Sequence, residues 1–231
     1  MATADTGIAR GLHRALACLV MLTLWAPGIR AQDEPTPDVA PPSAGQTARG
    51  YIEQTVETVT SILLDDQLEK PLKRARFQEI MAARLDIDEI SRRVLRKSWE
   101  QWALDQKKEF KELFIQHLVS VYWQKVDSGF ERIEMGEDEA EANIYWHVHT
   151  TVLVEKGANV SIEFILKKAN DQADWKTIDL KIAGASQVSV FRDQFQPVVR
   201  SNGPDFLLDW LRKAVARSAA ELQAEQEAAD G

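Results

Sequence analysis

His147 and His149, separated by Val148, are the clearest chemical pair in the chain. On an extended strand this spacing puts both imidazoles on the same side, where they could begin a metal site. Such a site needs a third ligand, and Glu163 or Asp179 on neighbouring predicted strands could reach that side. The pair lies opposite the apolar rows described below, so a solvated outer face is the expected setting. His117 sits beside the Phe114/Leu118 stripe and reads as a helix-edge residue. Other chemistries find less support. Ser186 and Ser189 lack the Gly-x-Ser-x-Gly turn of a hydrolase nucleophile. No phosphate-binding loop or dinucleotide glycine fingerprint occurs. An acid/base isomerase would need a carboxylate aimed into a cavity, and Asp179 would supply one only if its strand slipped by one residue.

These residues depend on elements that hydropathy periods define. Ile52, Val56, Val59, Ile62 and Leu63 recur at helical spacing. Pro71 suits the first turn of a second helix bearing Leu72, Phe77, Ile80 and Met81. Asp86 is placed to cap a third helix with Ile87, Ile90, Val94 and Leu95 inward. Asp105 begins a fourth, striped by Phe110, Leu113, Phe114, Leu118, Val121 and Tyr122. Near Asp127 the period drops to two. Rows through Trp146/Val148/Val152, Ile162/Phe164/Leu166 and Ile178/Leu180/Ile182 predict three strands, and Phe130 to Met135 a preceding one. Turn signals lie at 156–159 and 170–174, and Pro204 opens a closing helix with Leu207, Leu208, Leu211 and Val215. The expected fold is α+β, an antiparallel four-stranded curved sheet with helices packed on one face enclosing an apolar cavity. The pattern by itself leaves open whether the aromatic residues build a solid core or line that cavity.

The ends and the charge set the compartment. Arg10, His13 and Arg14 precede an apolar run from Ala15 to Trp25, then Pro27, Gly28 and a small-residue cleavage site at Ala31. The run makes about 16 Å of helix, roughly half the bilayer core. Residues 1–31 therefore read as a cleavable signal peptide, and export to the periplasm of a Gram-negative bacterium is expected. Cys18, the only cysteine, would leave with it. Residues 32–48, with four prolines, read as a disordered linker, 49–215 as the folded domain and 216–231 as an acidic tail. Cleavage takes the net charge from −8 to −10, which argues against nucleic-acid binding. Within this acidic chain, residues 71–111 hold eleven Lys or Arg against seven Asp or Glu. Arg92, Arg93, Lys107 and Lys108 there form a candidate docking face for lipid headgroups or an acidic partner.

Several segments together resemble a known family. They are Val94-Leu95-x3-Trp99, the series Gln106, Phe110, Phe114, Leu118 and Tyr122 at four-residue steps, and the block from Trp175 to Ser186 followed by Arg192-x2-Phe195. Their order and spacing resemble the MlaC (toluene-tolerance) family of periplasmic phospholipid-binding proteins over about residues 50–215. Arg96 stands where that family often has glycine, Ala185 where valine is commoner, and Phe191 where tyrosine is frequent.

The resemblance implies a carrier with no enzymatic activity and no cofactor, whose cargo is a phospholipid. Its partners would be an inner-membrane MCE-domain/ABC transporter complex and an outer-membrane lipoprotein complex, with transient membrane proximity, no nucleic acid and a monomeric state. The task would be maintenance of outer-membrane lipid asymmetry. Carried over by position, the phospholipid pocket comprises Trp99, Phe110, Phe114, Leu118, Trp146, Val148, Val152, Ile162, Phe164, Ile178, Ile182, Val190 and Phe195, with Arg192 near the headgroup. Two chains of roughly 14 methylenes represent about 20 kcal/mol of gross transfer free energy, so a carrier must offer a comparably apolar interior. The alternative is a small-molecule enzyme or metal-binding protein using the His147/His149 face.

Overall fold

A computed structural model describes residues 46–127, 130–142, 144–154, 157–170 and 173–229. The expected signal peptide with Cys18 and all but the end of the expected linker lie outside the described residues, as do parts of the 156–159 and 170–174 turns.

The first half is helical. α1 (Ala48–Leu63) starts at Thr47, whose hydroxyl accepts from the Gly50 N–H. α2 (Lys70–Arg84) carries Pro71 in its first turn. α3 (Ile87–Leu95) is capped as expected, Asp86 accepting from the Glu89 N–H at 2.9 Å. A short α4 (Lys97–Gln101) intervenes before α5 (Leu104–Asp127). The break between α3 and α4 falls on Arg96, held at φ 49 and ψ −132. A side chain is strained in that region, and glycine is not. Arg96→Gly is therefore expected to raise folding stability by about 1–2 kcal/mol, read as a higher denaturation midpoint in urea. A lower midpoint would mean that the Arg96 side chain contributes more than its backbone costs.

The sheet follows as β1 (Phe130–Glu141), β2 (Tyr145–Val154), β3 (Val160–Lys168), β4 (Trp175–Ile182) and β5 (Ala185–Ser186). All neighbours are antiparallel, in the order β1-β2-β3-β4-β5. Gly136 sits in the β1 bulge, where a Cβ would meet the His149 carbonyl oxygen at 3.1 Å and the His149 Cβ at 3.2 Å. Only a residue without a side chain fits there undisturbed. The chain closes with α6 (Gln187–Asn202) and α7 (Pro204–Ala229).

The expected sheet is corrected on two counts. It has five strands rather than four, and it is open, neither closed nor curled, with β1 and β5 as separate edges. The fifth strand was hidden because it is two residues long. It returns through Ala183 and Gly184, both at positive φ, so that Ile182 pairs with Ala185 and Lys181 with Ser186. The helices do pack on one face. Ala48, Tyr51 and Ile52 of α1 bury Val148 and Leu166 of the sheet. A larger aromatic core joins α3 through α7, and Phe77, Val119 and Trp123 link α2 to α5.

No element was expected over 187–202, and α6 forms there although Pro197 in its middle removes a backbone donor. The proline ring is on the exposed side, while Val188, Phe191, Phe195 and Val199 are buried. Burial of that stripe outweighs the missing hydrogen bond. α7 also continues past Val215 to Ala229, where the expected tail is helical and Leu222 packs beside the α2–α5 contact.

Candidate functional site

The expected pocket residues divide between two layers. On the helix side, Trp99, Phe110, Phe114 and Phe195 are 7% exposed or less. They join Trp102 and Phe191 in one aromatic cluster. Ring centroids lie 5.9 Å apart for Trp99–Phe110, 5.2 Å for Phe110–Phe114 and 5.7 Å for Phe114–Phe195. On the sheet side, Trp146, Val148 and Phe164 belong to the cluster beneath α1. Ile182 packs against the helix core. Val152 and Ile162 are half-buried, Ile178 is fully buried, and Val190 is exposed. Leu118 is buried in the helix core.

Between the layers runs a narrow, partly open cleft of about 30 Å³. Its walls come from α2 and α3 (Met81, Leu85, Ile90), α5 (Phe114, Leu118, Tyr122), β4 (Thr177, Asp179, Leu180) and the start of α6 (Gln187, Val188, Phe191). Of the residues carried over by position, Phe114 and Leu118 line this cleft. Met81, Leu85, Val188 and Phe191 do so without having been singled out. Met81 and the α6 stripe carried a signal in their helical spacing, whereas Leu85 is positioned by a bridge to Thr177 that no local pattern announces.

Asp179 reaches the cleft because the β3–β4 register shifts. Ile165 pairs with Asp179 and Leu166 with Thr177, which leaves Ile178 as the extra residue of a bulge. Its carboxylate is committed to the start of α6. It accepts from the Val188 N–H at 3.0 Å, the Leu180 N–H at 2.8 Å and the Ser186 hydroxyl at 2.5 Å. Ser186 in turn accepts from the Ser189 N–H. These bonds make Asp179 a helix anchor, and they leave it poorly placed to shuttle protons. Tyr122 donates to Gln187 at 2.7 Å, and burial, helped by the Asp179 charge, raises its phenol above the ordinary range. Arg192 donates to the Ser189 hydroxyl at 2.9 Å and lies 3.5 Å from Asp193.

The histidine pair sits on the other face of the sheet, but His147 is not solvated as expected. It is 8% exposed, because flanking strands supply a carboxylate to each ring nitrogen. Nδ1 lies 2.6 Å from Glu163 and Nε2 2.9 Å from Glu141, and Lys181 donates to Glu163 at 2.8 Å. Among the described residues no group of three or more His, Cys, Asp or Glu side chains is arranged to hold a metal ion. Two carboxylates instead face the ring, one at each nitrogen, an arrangement that favours the protonated imidazolium. Burial pushes the imidazole down, but the bonds to Glu163 and Glu141 outweigh it, so the net shift is upward.

A raised folded-state value stabilises the fold fully below the ordinary histidine range, and that contribution disappears as pH rises through the folded value. The stability gap between the natural protein and His147→Gln should thus be widest below about pH 6 and shrink in alkaline buffer. Urea melts across that range check it, and a gap that widens with pH would contradict the clasp. His117 is different. It packs against Phe191, Phe195 and Trp210 at 5.9, 6.4 and 5.3 Å, and burial lowers its value, as suits a neutral core ring.

The arrangement is thus an apolar cleft between a helix layer and an open sheet. Residues 53–213 match the family model described as MlaC protein. The chain belongs to the MlaC family. The comparison with curated proteins gives no match. Among solved structures, this MlaC-family chain is similar to a phospholipid-binding protein from Ralstonia solanacearum, determined in complex with a phospholipid. The two share 18% sequence identity at a TM-score of 0.65, over 75% of this chain and 99% of that one. At that identity the likeness speaks for the fold. Among the described residues no helix is long and apolar enough to cross a membrane.

Proposed function

We propose that this MlaC-family protein is a periplasmic phospholipid carrier without catalytic chemistry. The observation that carries the reading is the cleft between sheet and helices, walled by large apolar side chains in a chain whose family is lipid-carrying. The phospholipid bound by the similarly folded Ralstonia protein supports it. The cleft also indicates how uptake works. The cleft holds about 30 Å³ of free space, room for a few waters at most, so neither acyl chain of a phospholipid fits it as it stands. Loading a diacyl lipid therefore parts the helix layer from the sheet, and the pocket residues carried over by position become its walls as the two layers separate. Arg192 stands near the α6 end of the cleft as a candidate headgroup contact.

Organic extraction and mass spectrometry of the purified protein should recover phospholipid. Protein that is lipid-free and also takes none from vesicles would end this reading. The finer partners belong to the same proposal: an inner-membrane MCE/ABC transporter complex and an outer-membrane lipoprotein complex. In the candidate docking face, Arg92 and Lys108 are exposed, whereas Arg93 is engaged by Glu89 and Tyr145, and Lys107 lies over Trp99. Charge reversal at Arg92 and Lys108 should slow delivery to the transporter while leaving bound lipid in place, and unchanged delivery would remove that face.

A further inference from the structure

The open sheet has one long edge that no other strand covers. β1 is twelve residues long and pairs on one side only, with β2. The opposite edge is shorter and partly closed: β5 has two residues, and Leu85 bridges to Thr177 on β4. Along β1, every residue from Gly136 to Glu141 is exposed. Apart from the turn bond between the Ile144 N–H and the Glu141 carbonyl, no backbone hydrogen bond among the described residues joins β1 to any segment but β2. Such an edge offers a row of N–H and C=O groups to an added strand. Main-chain bonds supply the affinity, and side chains at alternate positions choose the segment.

The side chains here choose by charge. Six of the twelve residues of β1 are acidic and one, Arg132, is basic. Glu134, Glu139 and Glu141 stand on the outer face opposite Thr151, His147 and Tyr145, whereas Asp138 pairs with Val148 on the helix side. Both margins of the edge are therefore negative. The side chains of Glu137 and Glu139 are exposed and have no ion-pair partner among the described residues.

A contact within the chain shows what this edge accepts. Arg49 of α1 donates from Nη1 to the Gly136 carbonyl at 2.5 Å and lies 3.6 Å from Asp138. One guanidinium thus reads a main-chain acceptor and a carboxylate of the edge together. The bulge and the like charges defend the edge against a second copy of the chain, since acid would face acid. Against a strand of opposite sign they are no defence.

We propose that β1 receives a basic extended segment of a partner protein, added to the sheet as a further strand. The segment carries Lys or Arg at alternate positions, so that its cations meet Glu139 and Glu141 on one face. Strand addition needs no lipid, so the proposal stands apart from the carrier reading.

A labelled peptide of alternating Lys and Val, about eight residues long, tests it by fluorescence anisotropy with the purified protein. The natural protein should bind this peptide. N-methylation of the central peptide residues keeps the charge, removes the N–H donors, and should weaken binding at least about tenfold. Glu137→Lys combined with Glu139→Lys alters only exposed side chains and should weaken binding by about the same factor. In hydrogen–deuterium exchange the peptide should slow the amides of β1 and leave those of β5 unchanged.

A peptide that does not bind overturns the proposal. So does equal binding of the N-methylated form, which would reduce the effect to charge alone. A double variant that melts like the natural protein and binds as well also overturns it. Should that variant unfold, the N-methylated peptide still decides. Slowing of β1 exchange with rising protein concentration and no peptide would assign the edge to a second copy instead, against the proposal.

Discussion

Replacing Phe114 by alanine is expected to lower the free energy of unfolding by about 3–5 kcal/mol, and to do so far less once lipid is bound. Phe114 is fully buried, with ring centroids 5.2 Å from Phe110, 5.2 Å from Phe191 and 5.7 Å from Phe195. Alanine there removes the transfer term of a large ring and leaves a hole among rigid aromatic neighbours that cannot collapse into it. The same ring lines the cleft, so the hole adjoins the space where an acyl chain would lie. A bound chain can fill it and restore part of the lost contact. Denaturant melts of lipid-stripped and lipid-loaded protein measure both quantities. An equal loss in the two states would mean that lipid does not reach Phe114.

The second large effect concerns opening. Leu85 and Thr177 pair as a parallel bridge, and the Asp86 N–H donates to the Thr177 carbonyl at 2.9 Å. Bridge partners lie about 5 Å apart, inside the Cα range of about 4.4–6.8 Å that a disulfide spans. Leu85→Cys combined with Thr177→Cys should therefore tie the end of α2 to β4, which are two walls of the cleft. If uptake parts these layers, the oxidised variant should exchange lipid at least about tenfold more slowly than the reduced one, as a barrier higher by about 1.4 kcal/mol would give. Lipid loaded before oxidation should stay trapped. Removal of Cys18 with the signal would leave no competing thiol. Equal exchange in the oxidised and reduced forms would show that the lipid enters by another route.

Both experiments act on contacts between elements, and there the reach of the sequence ends. The stripe Phe110, Phe114, Leu118, Tyr122 identified both α5 and its buried face, because a 3.6-residue period is a property of one helix alone. The alternation through Trp146/Val148 and Ile162/Phe164 located β2 and β3 for the same reason. Asp86 announced its own cap, since the bond it makes is three residues away. The charged and apolar parts of residues 1–31 likewise predict export from local pattern alone. The family was legible in spaced residues that run through most of the folded domain.

Tertiary structure decided what local rules cannot reach. α6 exists despite Pro197 because its other face meets the aromatic core. One extra residue at Ile178 turned Asp179 from an expected outer-face residue into the anchor of α6. His147 became buried because Glu141 and Glu163 arrive from two other strands. The Lys176 ammonium reaches the Ala83 carbonyl only because α2 ends beside β4. The chain by itself determined which face of each element is apolar, since that depends on neighbours a few residues apart. Which faces meet, how much space remains between them, and which charges are left without a partner depend on residues distant in sequence, and only the assembled layers fix those.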